Sequence, residues 1–282
     1  MIATASKESK LLKDNMNVIE PHSDIFQNAS EMDSGILAGF EIVPSADIKL
    51  STFRKRYITK YIVPVQLFGK LINECRGNYK LLDRCGEIWS DILLEYYDTA
   101  GLKFFNDHVY GKLNRVKVRV RNCRRTGDQV WEIWRRKSKG RMVKKSVPVN
   151  GSNLEFEEKA GEMVSNYAGI DLHSLTPSLL ASFRRITLLN PEGIERITID
   201  TNICFASPKH PELPKPVDGL VIIELRKRKK AGSFLANMLA GYKIRPVKIS
   251  KYCLGISLTN KSAKTNNYKP VIRNIEKNIK HG

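Results

Sequence analysis

Within NRVKVRVRNCRR, residues 114–125, polar and apolar residues alternate without a break over 115–121. At that period Lys117, Arg119 and Arg121 share one face of a strand and Val116, Val118 and Val120 the other. The pattern recurs in FRKRYITKYIV (53–63), where Arg54, Arg56, Ile58 and Lys60 fall together. Further strands are predicted at SDILLEYYDT (90–99), QVWEIWRRK (129–137), ASFRRITLL (181–189), IERITIDTNICF (194–205) and VDGLVIIELRKRK (217–229). NCRRTGD and NPEG each supply a glycine-containing turn between neighbouring strands. Helical spacing is confined to VPVQLFGKLINECRG (63–77), LEFEEKAGEMVSNYA (154–168) and GSFLANMLAGY (232–242). Many hairpin-linked strands with few helices predict an α+β chain, mostly antiparallel β, in a barrel or sandwich rather than a doubly wound sheet.

Four of these strands carry charges at alternate positions: Arg54/Arg56/Lys60, Lys117/Arg119/Arg121, Glu132/Trp134/Arg136 and Glu224/Arg226/Arg228. A solvated face is the simplest reading of any one of them. Four such rows point instead to charged faces turned inward in a closed barrel. Enclosing unpaired cations is costly, so such a lining makes sense only if a polyanion occupies it.

Composition sharpens the choice of partner. The 282 residues hold 48 Lys+Arg against 29 Asp+Glu, a formal charge of +19, which favours an anionic ligand. Aromatic residues make up only 8%, and the basic strands carry aliphatic partners, which ranks a nucleic-acid binder last. The five cysteines are scattered, with no CxxC pair, so reduced thiols are expected. No apolar span of about 20 residues and no signal-peptide core is present, which places the chain in the cytoplasm. No Walker-type or GxGxxG loop occurs. Residues 1–40 read as a flexible N-terminal segment, 41–259 as the folded domain and 260–282 as a basic polar tail.

Eight segments in order then carry a family resemblance: RYITKYIVP (56–64), YYDT (96–99), HVYGKLNRVKVRVR (108–121), WEIWRRKSKGRMVKK (131–145), SFRRITL (182–188), ERITID (195–200), IIELR (222–226) and SKYCLG (250–255). Together they resemble the VTC (vacuolar transporter chaperone) domain, the polyphosphate-polymerase branch of the triphosphate tunnel metalloenzymes. The resemblance implies an eight-stranded closed β-barrel with a few flanking helices. It implies transfer of the γ-phosphate of ATP to growing polyphosphate, with Mn²⁺ or Mg²⁺ and, among partners, a membrane protein. By position, Lys60, Arg119, Arg121 and Lys251 match catalytic residues, and Arg56, Lys117, Arg185, Arg196 and Arg226 match phosphate- or nucleotide-binding ones. Glu224 matches the metal-binding glutamate, while Lys112 and Arg115 extend the basic stretch toward the tunnel mouth. Arginines grip phosphate bidentately and lysines act as mobile charges, the residue types phosphoryl transfer requires.

Two positions depart from the family pattern. Ile58 stands where an acid often precedes the first-strand lysine, and Trp134 stands where a lysine follows the strand glutamate by two. Arg135 or Arg136 is expected to restore that charge. Asp98 and Asp200 fit turn or strand-end anchors as well as metal ligands. Competing functions are a non-catalytic polyphosphate or nucleotide sensor and a tunnel triphosphatase. The ExExK pattern of the latter is missing from Arg54-Arg56-Ile58-Lys60.

Overall fold

A computed structural model describes residues 35–45, 57–84, 86–123, 127–136, 142–149, 153–227 and 232–280. Arg54, Arg56 and Arg228 lie outside the described residues. The elements are β1 (Ile42–Pro44), β2 (Tyr57–Pro64), α1 (Phe68–Cys75), β3 (Lys80–Asp83), β4 (Ser90–Thr99) and α2 (Lys103–Val109). Then come β5 (Val116–Cys123), β6 (Gln129–Arg136), β7 (Met142–Pro148), α3 (Asn153–Ala168), β8 (Leu175–Leu189) and β9 (Glu195–Ser207). The chain ends with β10 (His210–Pro216), β11 (Leu220–Lys227), α4 (Phe234–Gly241), α5 (Lys251–Thr259) and α6 (Lys269–Lys280).

Eight strands form one antiparallel path in the order β2-β11-β9-β8-β4-β5-β6-β7, with β1, β3 and β10 attached at its flanks. The expected closure is not made: β2 and β7 do not pair among the described residues. The outer edge of β2 is already in use, because Val247 N–H donates to the Lys60 carbonyl at 2.8 Å. The segment leading into α5 thus takes hydrogen-bonding groups that β7 would need.

The sheet nevertheless has two chemically distinct faces. Residues directly opposed on neighbouring strands project to the same side, so the register fixes which groups meet. Outward-facing Tyr61, Val63, Ile197, Ile199, Val221, Ile223 and Leu225 pack with α1 and α4 in one buried cluster. Val116, Val118, Val120, Trp131 and Ile133 are buried with Phe156, Ala160 and Val164 of α3. The valines of the basic strand therefore do face packed helix.

α5 is different, since it covers the opposite, inner face. Tyr252 stacks on Tyr96 with ring centroids 5.0 Å apart, and a Cβ at Gly255 would collide with the side chains of Leu179 and Phe205. All five residues from Tyr252 to Ile256 are buried. Such a helix shows no polar stripe, which is why its spacing escapes a periodicity search. The segment read as a polar tail contains α6, whose Ile275 is buried in the larger core cluster.

Candidate functional site

Three carboxylates organise the inner face. Glu132, 1% exposed, accepts from Arg119 Nε at 2.8 Å and its terminal nitrogen at 2.6 Å, and from Lys144 at 2.7 Å. Arg121 Nε at 3.2 Å and Trp134 Nε1 at 3.1 Å complete the shell. Register explains the gathering: Arg119 lies opposite Glu132, and Lys117, Trp134 and Lys144 form one row across β5, β6 and β7. Burial alone would push the Glu132 carboxyl up, but Arg119 and then Lys144 hold it well below the usual carboxylate range.

Asp200, on β9, pairs with Arg185 of β8, whose terminal nitrogen is 2.8 Å away, and with Lys251 at the start of α5. Ser250 caps that helix by accepting from the Cys253 N–H at 3.3 Å, which sets Lys251 on its first turn facing the sheet. Arg185 and Lys251 outweigh burial and keep Asp200 ionised. Glu224 stands between Lys60, 3.4 Å away, and Arg226, whose Nε donates at 2.7 Å. Its pKa is well below normal, burial being overcome by Arg226 and Lys60.

Two cations on this face have no carboxylate partner among the described residues. Lys117 is pushed down to about 7 by burial and by Lys60 across the concavity. Arg196 is pushed down to about 9 by burial and by Arg84 and Arg226, and its Nε has no hydrogen-bond partner. Lys251 is lowered to about 8 by burial, Asp200 offsetting part of the effect.

Walls that are remote in strand order also meet. Arg226 of β11 lies 5.8 Å from the Trp134 ring centroid on β6, so the sheet curls until its two ends face each other. The resulting channel is lined by Lys60, Lys117, Arg119, Arg121, Lys144, Arg185, Arg196, Arg226 and Lys251, against Glu132, Asp200 and Glu224.

The described positions matched to catalytic, phosphate-binding and metal roles, namely Lys60, Lys117, Arg119, Arg121, Arg185, Arg196, Arg226, Glu224 and Lys251, lie on this face; Arg56 is outside the described residues. The charge expected from Arg135 or Arg136 is not supplied by either. Arg135 opposes Val116 and Val143 on the outer side, and Arg136 is exposed at the strand end. Lys144, on a strand the sequence reading left unassigned, provides it directly beside Trp134. Lys112 is taken up by Asp107 at 3.0 Å. Asp98 is an anchor: its carboxylate accepts from the Phe104 and Phe105 N–H groups at 2.9 Å each and from the Tyr252 hydroxyl, tying α2 and α5 to β4.

The donor set fits a divalent ion in one way only. Among the described residues no three His, Cys, Asp or Glu side chains gather into a metal cluster. Glu224 has one oxygen engaged by Arg226, while the other faces Lys60 at a longer distance. A single carboxylate suffices where phosphate oxygens and water complete the shell.

The VTC domain family matches residues 55–260. Among solved structures, a Bacillus halodurans protein described as an adenylate cyclase candidate is 11% identical with a TM-score of 0.46, covering 69% of this chain and 93% of that one. A Hippeastrum adenylyl cyclase candidate with dominant triphosphatase activity is 14% identical with a TM-score of 0.44, covering 74% and 98%. A Vibrio parahaemolyticus adenylate cyclase candidate is 14% identical with a TM-score of 0.40, covering 71% and 97%. No curated protein matches the chain.

Proposed function

The chain belongs to the VTC domain family, and on that premise we propose that it transfers the γ-phosphoryl group of ATP to a growing polyphosphate chain within the basic channel. The observation that carries this reading is the convergence, among the described residues, of nine cations on one concave face with only three carboxylates among them. In the proposed step a terminal oxygen of polyphosphate attacks the γ-phosphorus. The bond from that phosphorus to the β–γ bridging oxygen breaks, and ADP leaves with the electron pair. Since the acceptor is itself a phosphate, no side-chain nucleophile is needed; the protein positions the chain and offsets charge on non-bridging oxygens.

Arg119, Arg121, Arg185 and Arg226 would grip phosphates bidentately, their planes set by Glu132, Asp200 and Glu224. Lys60, Lys117 and Lys251 would follow charge as it shifts toward the leaving ADP, and Arg196 would hold the trailing phosphates. Glu224 would hold Mg²⁺ or Mn²⁺, which when bound neutralises phosphate oxygens and polarises the γ-phosphorus. We place the enzyme in the cytoplasm, in keeping with free Cys75, Cys123, Cys204 and Cys253, with a membrane protein as a candidate partner. Among the described residues no helix is long and apolar enough to cross a membrane.

A second reading, hydrolysis of short triphosphates, is favoured by α5, which covers one end of the inner face and would hinder a long product. Incubation with ATP and Mn²⁺, followed by gel analysis, separates the two. ADP with long polyphosphate supports polymerisation, and ADP with inorganic phosphate and no polyphosphate supports hydrolysis. Neither product, with Lys60→Ala indistinguishable from the parent, overturns both.

A further inference from the structure

We propose that Trp134 is a stacking platform for the base of the nucleotide, so that this channel selects a nucleoside triphosphate over a bare phosphate chain. The inference rests on the triphosphate-binding reading above and adds the part of the ligand that no cation can recognise. The indole lies on the inner face in the row of Lys117 and Lys144, half-buried and open to the channel. Its ring is fixed, because Nε1–H donates to the same Glu132 oxygen that binds Arg119. Glu132 is itself locked by arginine and lysine donors, so the ring plane is set before any ligand arrives.

Three cations surround the ring: Arg119 with Cζ at 5.3 Å from the centroid, Lys144 Nζ at 5.4 Å and Arg226 Cζ at 5.8 Å. Arg226 belongs to the opposite wall, where Glu224 holds its guanidinium facing the indole across the channel. A uniform polyphosphate gains nothing from an indole and would be served better by a fourth cation. An aromatic plane ringed by phosphate-binding cations is complementary to a ligand with one π face and one polyanionic arm. A base stacked on an aromatic side chain is worth about tenfold or more in affinity.

The test compares binding of ATP and of tripolyphosphate, without added metal, to the parent and to Trp134→Phe, Trp134→Leu and Trp134→Lys. The ratio of ATP to tripolyphosphate affinity falls about tenfold in Trp134→Leu and Trp134→Lys and stays near the parent value in Trp134→Phe. In the parent, ATP quenches indole fluorescence and tripolyphosphate does so far less; Trp134→Phe, which keeps Trp89 and Trp131, removes the difference. An unchanged ratio, or equal quenching by both ligands, overturns the stacking role while leaving the phosphate channel intact. Should neither ligand bind the parent, the proposed function falls and the platform with it. Equal quenching of the parent by both ligands overturns the platform even where a substituted chain fails to fold.

Discussion

Glu132 concentrates the electrostatic problem of the channel in one side chain: an almost fully buried carboxylate that satisfies Arg119, Arg121 and Lys144 at once. Removing the charge while keeping the shape, as in Glu132→Gln, leaves those cations facing one another in a partly desolvated space. Loss of one partner from a buried ion pair costs about 3–5 kcal/mol, so the variant should unfold at a clearly lower denaturant concentration than the parent. Saturating tripolyphosphate should recover much of that loss, because the ligand replaces the missing counter-charge. A variant as stable as the parent without ligand would show that Glu132 does not hold these cations together. Most of these residues were legible in the sequence because a period of two states which residues share a face. Lys144 was not, since MVKK pairs two apolar residues with two basic ones and gives no alternation to read. Arg135 and Arg136 do not supply the charge because the nearest side chain in a sheet lies across strands, on β7, rather than along β6.

α5 shows how an element can be plain in a structure and silent in a sequence. SKYCLG is legible as a motif, yet a helix buried all round carries no amphipathic stripe, and only the Ser250 cap hints at its start. β2 misled in the opposite direction: the stripe at 63–77 predicts one helix, whereas the strand runs on to Pro64 and the helix begins at Phe68. Gly255 makes α5 testable. Replacing a mid-helix glycine by alanine ordinarily gains up to about 1 kcal/mol. Here the added methyl meets Leu179 and Phe205, both buried, and overpacking of that kind costs about 1–3 kcal/mol. The steric term wins, so Gly255→Ala should lower the melting temperature. It should also weaken phosphate binding by shifting Lys251 off Asp200. Lys251→Ala should weaken binding without a comparable loss of stability. Thermal melts and tripolyphosphate titrations of the pair check this; a Gly255→Ala chain more stable than the parent would refute the close fit.

For the molecule as a whole, the eight-strand path and the inward charge were foreseeable, whereas the open seam was not, because it depends on a hydrogen bond from Val247 that no strand pattern encodes. What the curled sheet creates is a collective titration. Lys117, at about 7, faces Lys60, Arg119, Glu224 and Cys253, and Lys251, at about 8, faces Asp200, Arg185 and Lys60. Both lysines are depressed below the ordinary lysine value of 10.5, so between their folded and unfolded pKa values the unfolded chain binds more protons. Stability without ligand should therefore rise as pH increases from about 7 toward 10, the repulsion disappearing as these groups neutralise. Polyphosphate has the opposite preference, since phosphate oxygens draw both lysines back to the charged form. At about pH 8 binding must then take up protons, and affinity should fall as pH rises from about 7 to 9. Calorimetric titrations with tripolyphosphate in buffers of different ionisation enthalpy read the uptake directly. Lys117→Met should reduce it by the larger share, because Lys117 starts the more nearly neutral of the two. Binding heats independent of buffer would mean that the two lysines are already fully charged in the empty channel, and the case for a repulsive lining that waits for a polyanion would fail with them.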